Sequence, residues 1–368
     1  MVVKDRIVRI FENLVSIYSP SYKERAIANH IAGYVDALGF LTYEDNAGEA
    51  INGTAGNIHV TISGNADGPC ILFAAHMDTV EPSEGAEMVV KDGIIRSKGA
   101  TILGADDKAG IAAMLELATI LSSTAIPHGP IHLTFTVAEE VGLKGAKQLD
   151  LNDKCIDFAY VLDADGRVGK INISAPFQDS FEVEYTGRAA HAGVAPEMGI
   201  NAIVAASKAI SCMKLGRIDG ETTANVGKIE GGRASNIVPE RARFLAEARS
   251  INLDKLEAQS KHMIECFKAG TNETGAKVDF KHYRSYEGYS LTENDPIVQK
   301  AVEALLRLGI KPVLTQTGGG SDTNVFNAKG LRAVNLSMGA EQVHAEDEYV
   351  SVSELVNAAK LLVELVRV

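Results

Sequence analysis

The sequence predicts an α/β protein: a mixed-sheet α/β/α domain interrupted by an inserted ferredoxin-like (βαββαβ) domain. Three observations predict it. Residues 70–78 (CILFAAHMD), 131–138 (IHLTFTVA) and 158–166 (FAYVLDADG) are near-continuous apolar runs, as strands buried on both faces require. Helical patterns lie between and around these runs. The middle of the chain then changes style. In SFEVEYTG (180–187), Phe181, Val183 and Tyr185 share one face, so only one face of that sheet is buried.

Taken in order, residues 5–19 and 22–39 read as amphipathic helices, with Gly39 stopping the second. Residues 57–63 alternate, with Ile58, Val60 and Ile62 on one face, and GNADGP turns the chain. The strand at 70–78 leads to an apolar helix at 109–122, then to the strands at 131–138 and 158–166. The inserted unit reads strand 180–187, helix 201–215, strand 223–230, strand 241–251, helix 253–269, strand 276–284. Its bounds are set at 177–286, leaving 1–176 plus 287–368 for the larger domain. A helix at 295–308, a strand at 331–339 and a helix at 352–367 complete that domain. Ser351 and Glu354 spell a capping box for the last helix.

Composition narrows the function. The chain has 368 residues, 46% of them hydrophobic, enough for a folded globular protein with a large core. Its net charge of −12 argues against a nucleic-acid partner. Cys70, Cys155, Cys212 and Cys266 are far apart, form no CxxC and sit by apolar segments, so free buried thiols and a reducing compartment are expected. The first residues lack the apolar core of a signal peptide. The longest apolar stretch, 109–121, contains Glu116 and is too short to span a bilayer. A soluble, cytoplasmic protein with no membrane partner is expected.

Three core strands end in similar polar residues: His76 and Asp78, Glu139 and Glu140, Asp163 and Asp165. Ligands of open α/β sheets gather at such carboxyl ends. Each motif has a plain reading by itself. HMD (76–78) can be a surface turn. The acids of LGADDKAG (103–110) can cap a helix. Glu139–Glu140 can be a solvated pair, and His344 an incidental loop residue. Together they offer the ligand set of a two-metal hydrolase. Imidazole and carboxylate donors without a thiolate suit Zn²⁺, Mn²⁺ or Co²⁺. The motifs for dinucleotide, nucleoside triphosphate and serine-hydrolase chemistry are missing.

On these residues the chain resembles the M20 family of metallopeptidases, closest to its peptidase T-like members. The resemblance spans nearly the whole chain. HMD, GADDKAG (104–110), EEVG (139–142), VLDADG (161–166), GRAAHAG (187–193), GGRASNIVPE (231–240), GGGSD (318–322) and VHAEDE (343–348) carry it. It implies a zinc-exopeptidase-like catalytic domain with the insert as a lid or dimerisation domain. It further implies two divalent metal ions, Zn²⁺ first and Co²⁺ or Mn²⁺ as alternatives. His76 and Asp163 would bind one ion, and Glu140 and His344 the other. Asp106 would bridge them, followed by a cis peptide to Asp107. Asp78 would orient His76, and Glu139 would be the general base toward the metal-bridging water.

From the lid, His191 would stabilise the oxyanion, while Asn236 and Arg249 would hold the substrate. Gly319, Gly320 and Ser321 would offer backbone donors. Asn324 stands where some carboxylate-binding relatives place an arginine, and TQTGGG lacks the arginine of tripeptidases. The implied activity is exopeptidase cleavage of short peptides, as an aminopeptidase or tripeptidase. An amidohydrolase or deacylase acting on N-acyl amino acids is the alternative, since it needs the same ligands. A non-catalytic binding protein would have lost Glu139 or a ligand, and none is lost. The resemblance leaves the oligomeric state open but allows a homodimer through the lid, for which an exposed edge such as strand 180–187 would suit pairing.

Overall fold

The computed structural model describes residues 2–151 and 156–368. The expected thiol of Cys155 lies outside the described residues. The chain divides into two compact units. One comprises Met1–Ile173, Leu291–Gln316 and Ser321–Val368, and the other Ser174–Ser290 and Thr317–Gly320.

The first unit is built on a mixed sheet. Its strands run in the order Leu41–Glu44, Ile58–Ile62, Ile131–Thr136, Ile71–His76, Phe158–Ala164, Ala333–Ser337, Lys170–Ala175. Ile71–His76 lies parallel to both Ile131–Thr136 and Phe158–Ala164, and Phe158–Ala164 lies parallel to Ala333–Ser337. Ile58–Ile62 is antiparallel to its neighbour Ile131–Thr136. All six residues of Ile71–His76 are buried, which explains the unbroken apolar run there. The parallel strands end on one side of the sheet, so His76, Thr136 and Ala164 deliver their following loops to one place.

The helix Ala105–Ser123 packs against Lys4–Val15, Val352–Val366 and the strand Ile71–His76. Glu116, the acid inside this apolar helix, is fully buried and accepts from Arg6 Nε and Nη2, both at 2.6 Å. Val3 N–H donates to it as well, at 2.9 Å. A buried carboxylate is tolerable only with such partners. Glu116→Ala removes three charge-assisted bonds and is expected to cost on the order of 3 kcal/mol. Urea unfolding measures this, and an unchanged midpoint would show that the triple contact contributes nothing.

The capping box of the last helix is only half formed. Ser351 Oγ accepts the Glu354 N–H at 3.1 Å, but the Glu354 carboxylate turns away to accept Val168 N–H at 2.6 Å. A tertiary donor has displaced the local one.

The second unit has the expected element order: Phe177–Thr186, helix Ala202–Cys212, Thr222–Gly231, Arg241–Ser250, helix Leu253–Asn272, Lys277–Tyr286. Its antiparallel sheet runs Gly216–Arg217, Thr222–Gly231, Arg241–Ser250, Phe177–Thr186, Lys277–Tyr286. Phe181, Val183 and Tyr185 face the two helices in its core with Phe244 and Phe267, as the alternation required.

Two expectations are corrected here. Strand 180–187 is no edge, because Phe177–Thr186 lies between Arg241–Ser250 and Lys277–Tyr286. The order of this sheet brings the first strand inside and leaves Lys277–Tyr286 at a border. Cys212 and Cys266 are not free thiols. They are joined in a disulfide between the two helices, with their Cα atoms 5.5 Å apart. Their separation of 54 residues concealed a contact made only when the helices pack. Cys70 is buried, as expected. Among the described residues no helix is long and apolar enough to cross a membrane.

Candidate metal and catalytic site

The side chains at the carboxyl ends of the parallel strands meet in one cluster. His76 is the last residue of its strand and is 2% exposed. Its Nε2 lies 3.1 Å from Asp106 Oδ1 and 3.9 Å from Asp163 Oδ1. His344 Nε2 lies 3.2 Å from the other oxygen of Asp106, Oδ2, and 3.0 Å from Glu140 Oε1. One carboxylate therefore stands between two imidazoles, each on a different oxygen. Ligand atoms of His76, Asp106 and Glu140 all lie within 4.8 Å of one another.

Local backbone makes this possible. Asp106 and Asp107 interrupt the helix Ala105–Ser123 with non-helical angles, and the peptide between them is cis. Asp107 turns inward, where its Oδ2 accepts His76 N–H at 3.3 Å and its Oδ1 accepts Gly110 N–H at 3.1 Å. A Cβ at Gly110 would lie 2.4 Å from that Oδ1, so only glycine fits there. Asp163 is fixed through its N–H, which donates to Asn335 on the adjacent strand at 3.1 Å. His344 has φ +64, a left-handed turn that brings its ring back over the cluster.

The charges of the cluster favour a cation. Burial lowers the His76 imidazolium, yet Asp106 and Asp78 outweigh it and hold its pKa well above the usual value. Hydrogen bonds to Asp106 and Glu140 raise His344 to about 10. Burial alone would raise Asp106, but His344 and His76 hold it below the ordinary range. Asp163 is pushed well up, first by burial and then by Glu139 and Asp106. Asp107 is pushed up first by burial, then by Asp163 and Asp106 against His76. So many buried acids around two imidazoles repel one another, and divalent cations would relieve that repulsion. Nitrogen and oxygen donors of this kind fit such ions.

The adjacent glutamates part company at Ala138. That residue has φ +51, so the chain leaves its extended course before Glu139. Glu140 Oε1 goes to His344. Glu139 is 8% exposed, and among the described residues its carboxylate makes no hydrogen bond. Burial raises its pKa first. His76 opposes, and Asp322, Glu140 and Asp78 add to the rise, which leaves it well above the usual range.

Asp78 does more than was expected. His76 Nδ1 lies 2.8 Å from the Asp78 main-chain oxygen and 3.6 Å from its carboxylate. That carboxylate instead accepts Glu139 N–H at 3.0 Å, Glu140 N–H at 3.1 Å and Ser21 Oγ–H at 2.7 Å.

Several residues of the site escaped the sequence reading. Glu348 accepts Gly104 N–H at 2.6 Å and Asp106 N–H at 3.0 Å, holding the loop that carries Asp106. Lys108 is buried, which pushes it down to about 7, and it donates to the Ile17 carbonyl at 2.8 Å. Asp322 accepts from Thr136 Oγ1 at 2.6 Å, and its pKa is raised to about 6, chiefly by burial. A Glu four residues after His344, and an Asp after the GGGS run, were visible signals for Glu348 and Asp322.

The substrate-side expectations fare unevenly. His191, Asn236, Arg249, Gly319 and Gly320 belong to the second unit, and Ser321 to the first. His191 and Asn236 are exposed, and His191 Nδ1 accepts Gly193 N–H at 3.2 Å. Arg249 donates Nε and Nη2 to Glu247, both at 3.0 Å, and Nη1 to the Gly318 carbonyl at 3.4 Å. Two of the three expected backbone donors are already used. Gly319 N–H donates to Thr317 Oγ1 at 3.1 Å. Ser321 N–H donates to Asn324 Oδ1 at 3.1 Å, because Ser321 and Asn324 form the capping box of the helix Asp322–Ala328.

Comparison with known proteins bears on the chemistry. A family model described as peptidase family M20/M25/M40 matches residues 72–368. Protein YqjE of Bacillus subtilis is 41% identical over 366 residues, covering 100% of this chain and 99% of that protein. The crystal structure of aminopeptidase PepT from Bacillus cereus is 42% identical with a TM-score of 0.88, covering 99% of this chain and 98% of that one. A tripeptidase structure from Staphylococcus aureus is 38% identical with a TM-score of 0.93, covering 100% and 98%.

Proposed function

This chain belongs to the peptidase family M20/M25/M40, and on that premise we propose that it is a metal-dependent exopeptidase that removes the amino-terminal residue of short peptides. One observation carries the reading: the Asp106 carboxylate lies between His76 and His344, one oxygen to each. His76 and Asp163 would hold one divalent cation and His344 and Glu140 the other, with Asp106 shared. Bound there, the cations would make a water more acidic and polarise the scissile carbonyl. Glu139, buried and without a hydrogen-bond partner among the described residues, would take the water's proton and pass it to the leaving amine. His191 would donate to the oxyanion. Asn236 would bind the substrate backbone, and Arg249 would meet a substrate carboxylate with the N–H groups that Glu247 leaves available. The second unit would act as lid and dimerisation domain, pairing through its border strands.

Zn²⁺ is the proposed metal, with Co²⁺ or Mn²⁺ as substitutes. The expected cytoplasmic location belongs to the proposal too, but the disulfide removes part of its cysteine argument. The similarity to an aminopeptidase and a tripeptidase favours peptides over N-acyl amino acids as substrates.

The test is a hydrolysis series on metal-loaded protein: di-, tri- and tetrapeptides with free amino ends, the same tripeptide N-acetylated, and N-acetyl amino acids. Cleavage of free tripeptides with release of the first residue is expected, and the acetylated tripeptide is refused. Turnover of N-acetyl amino acids with no peptide cleaved would replace the exopeptidase by the deacylase.

A further inference from the structure

Three consecutive backbone N–H groups, those of Ala138, Glu139 and Glu140, end on two buried carboxylates. Asp78 takes the second and third. Glu24 takes the first: its Oε1 accepts Ala138 N–H at 3.0 Å and Tyr22 N–H at 2.8 Å. Successive N–H groups converging on an anion form a concave nest, here made possible by the left-handed Ala138 at φ +51.

Glu24 sits at the amino end of the helix Arg25–Ala37, where an acid ordinarily caps its own helix, yet its side chain makes no capping bond. The side chain is fully buried, and Oε2 has no hydrogen-bond partner among the described residues. A helix start does not require so costly a group. The carboxylate reaches across 114 residues of sequence to the residue immediately before Glu139.

We propose that Glu24 is a positioning residue for the base: by holding Ala138 N–H it fixes the left-handed turn that sends Glu139 and Glu140 in different directions. This rests on the reading of Glu139 as the general base. The hydrogen bonds of the Glu24 side chain go to backbone N–H groups and to none of the proposed metal ligands. It acts through the backbone, and what it supplies is a correctly placed acceptor oxygen.

The test compares Glu24→Gln, Glu24→Asp and Glu24→Ala in the metal-loaded protein. Glutamine keeps an oxygen at the same reach, so kcat stays within about threefold of wild type. Aspartate keeps the charge but withdraws the oxygen, and alanine removes it. Both lower kcat at least tenfold with KM and metal content little changed. Amide hydrogen exchange at Ala138 accelerates at least tenfold in these two variants and not in Glu24→Gln, a readout independent of activity.

Wild-type kcat and exchange in Glu24→Asp would overturn the proposal, as would a loss in Glu24→Gln equal to that in Glu24→Asp. If Glu24→Ala fails to fold, the order of the other two still decides. Failure of the underlying reading looks different: Glu139→Gln would then retain turnover, whatever the Glu24 variants do.

Discussion

Glu139→Gln is expected to lower kcat for peptide cleavage about 10³-fold while leaving metal content and KM close to wild type. The substitution is nearly isosteric and removes only the capacity to carry a proton. Nothing that shapes the site is disturbed. The N–H of residue 139 still donates to Asp78, and its carbonyl still accepts Gly142 N–H at 2.9 Å and Leu143 N–H at 2.8 Å. Burial first, and then Asp322, Glu140 and Asp78 against His76, hold the native carboxyl's pKa well above the usual carboxylate range, as a proton acceptor in an enclosed site requires. Steady-state kinetics with elemental analysis of the same sample separate the outcomes. Wild-type kcat would remove Glu139 from the chemistry. Loss of metal together with kcat would make it a ligand instead.

Asp106→Ala should fail in the opposite way. Its two oxygens meet two different imidazoles, and both histidines hold its pKa down despite burial. Removing it takes a donor from each proposed cation at once and leaves His76 and His344 with fewer carboxylate partners. Metal affinity is expected to fall about 100-fold or more, and turnover at ordinary metal concentrations should disappear with it. Excess metal should restore part of the activity, which it cannot do for Glu139→Gln. Calorimetric titration of Zn²⁺ into the two variants checks the contrast. Wild-type metal affinity in Asp106→Ala would dissolve the shared-ligand assignment. A circular dichroism spectrum like that of wild type guards against simple unfolding.

Much of this site was legible because its residues occupy privileged places in simple patterns. His76, Glu140 and Asp163 lie at or just past the carboxyl ends of apolar runs, and a parallel sheet brings such ends together whatever the loops do. Asp106 was marked by its doubled acid among glycines. What stayed illegible depends on long-range partners. Glu24 reads as an ordinary acid at a helix start, since its partner Ala138 is 114 residues away. Glu348 reads as one charge in an acidic loop, and Asp106 N–H is 242 residues from it.

The glycine-rich loop misled for a different reason. Gly319 and Ser321 look like open N–H donors until Thr317 and Asn324, their near neighbours, use those donors locally. Strand 180–187 alternates as a half-exposed strand does. Alternation reveals which face is buried and says nothing about which strands flank it.

Two cations held through one shared carboxylate are proposed to drive peptide hydrolysis. The most direct test is to strip the protein with a chelator, titrate Zn²⁺ back and follow cleavage of a free-amino tripeptide at each addition. Negligible turnover is expected in the stripped protein, with a rise that levels off at two equivalents of metal per chain. A plateau at one equivalent, or undiminished turnover after stripping, would contradict the proposal.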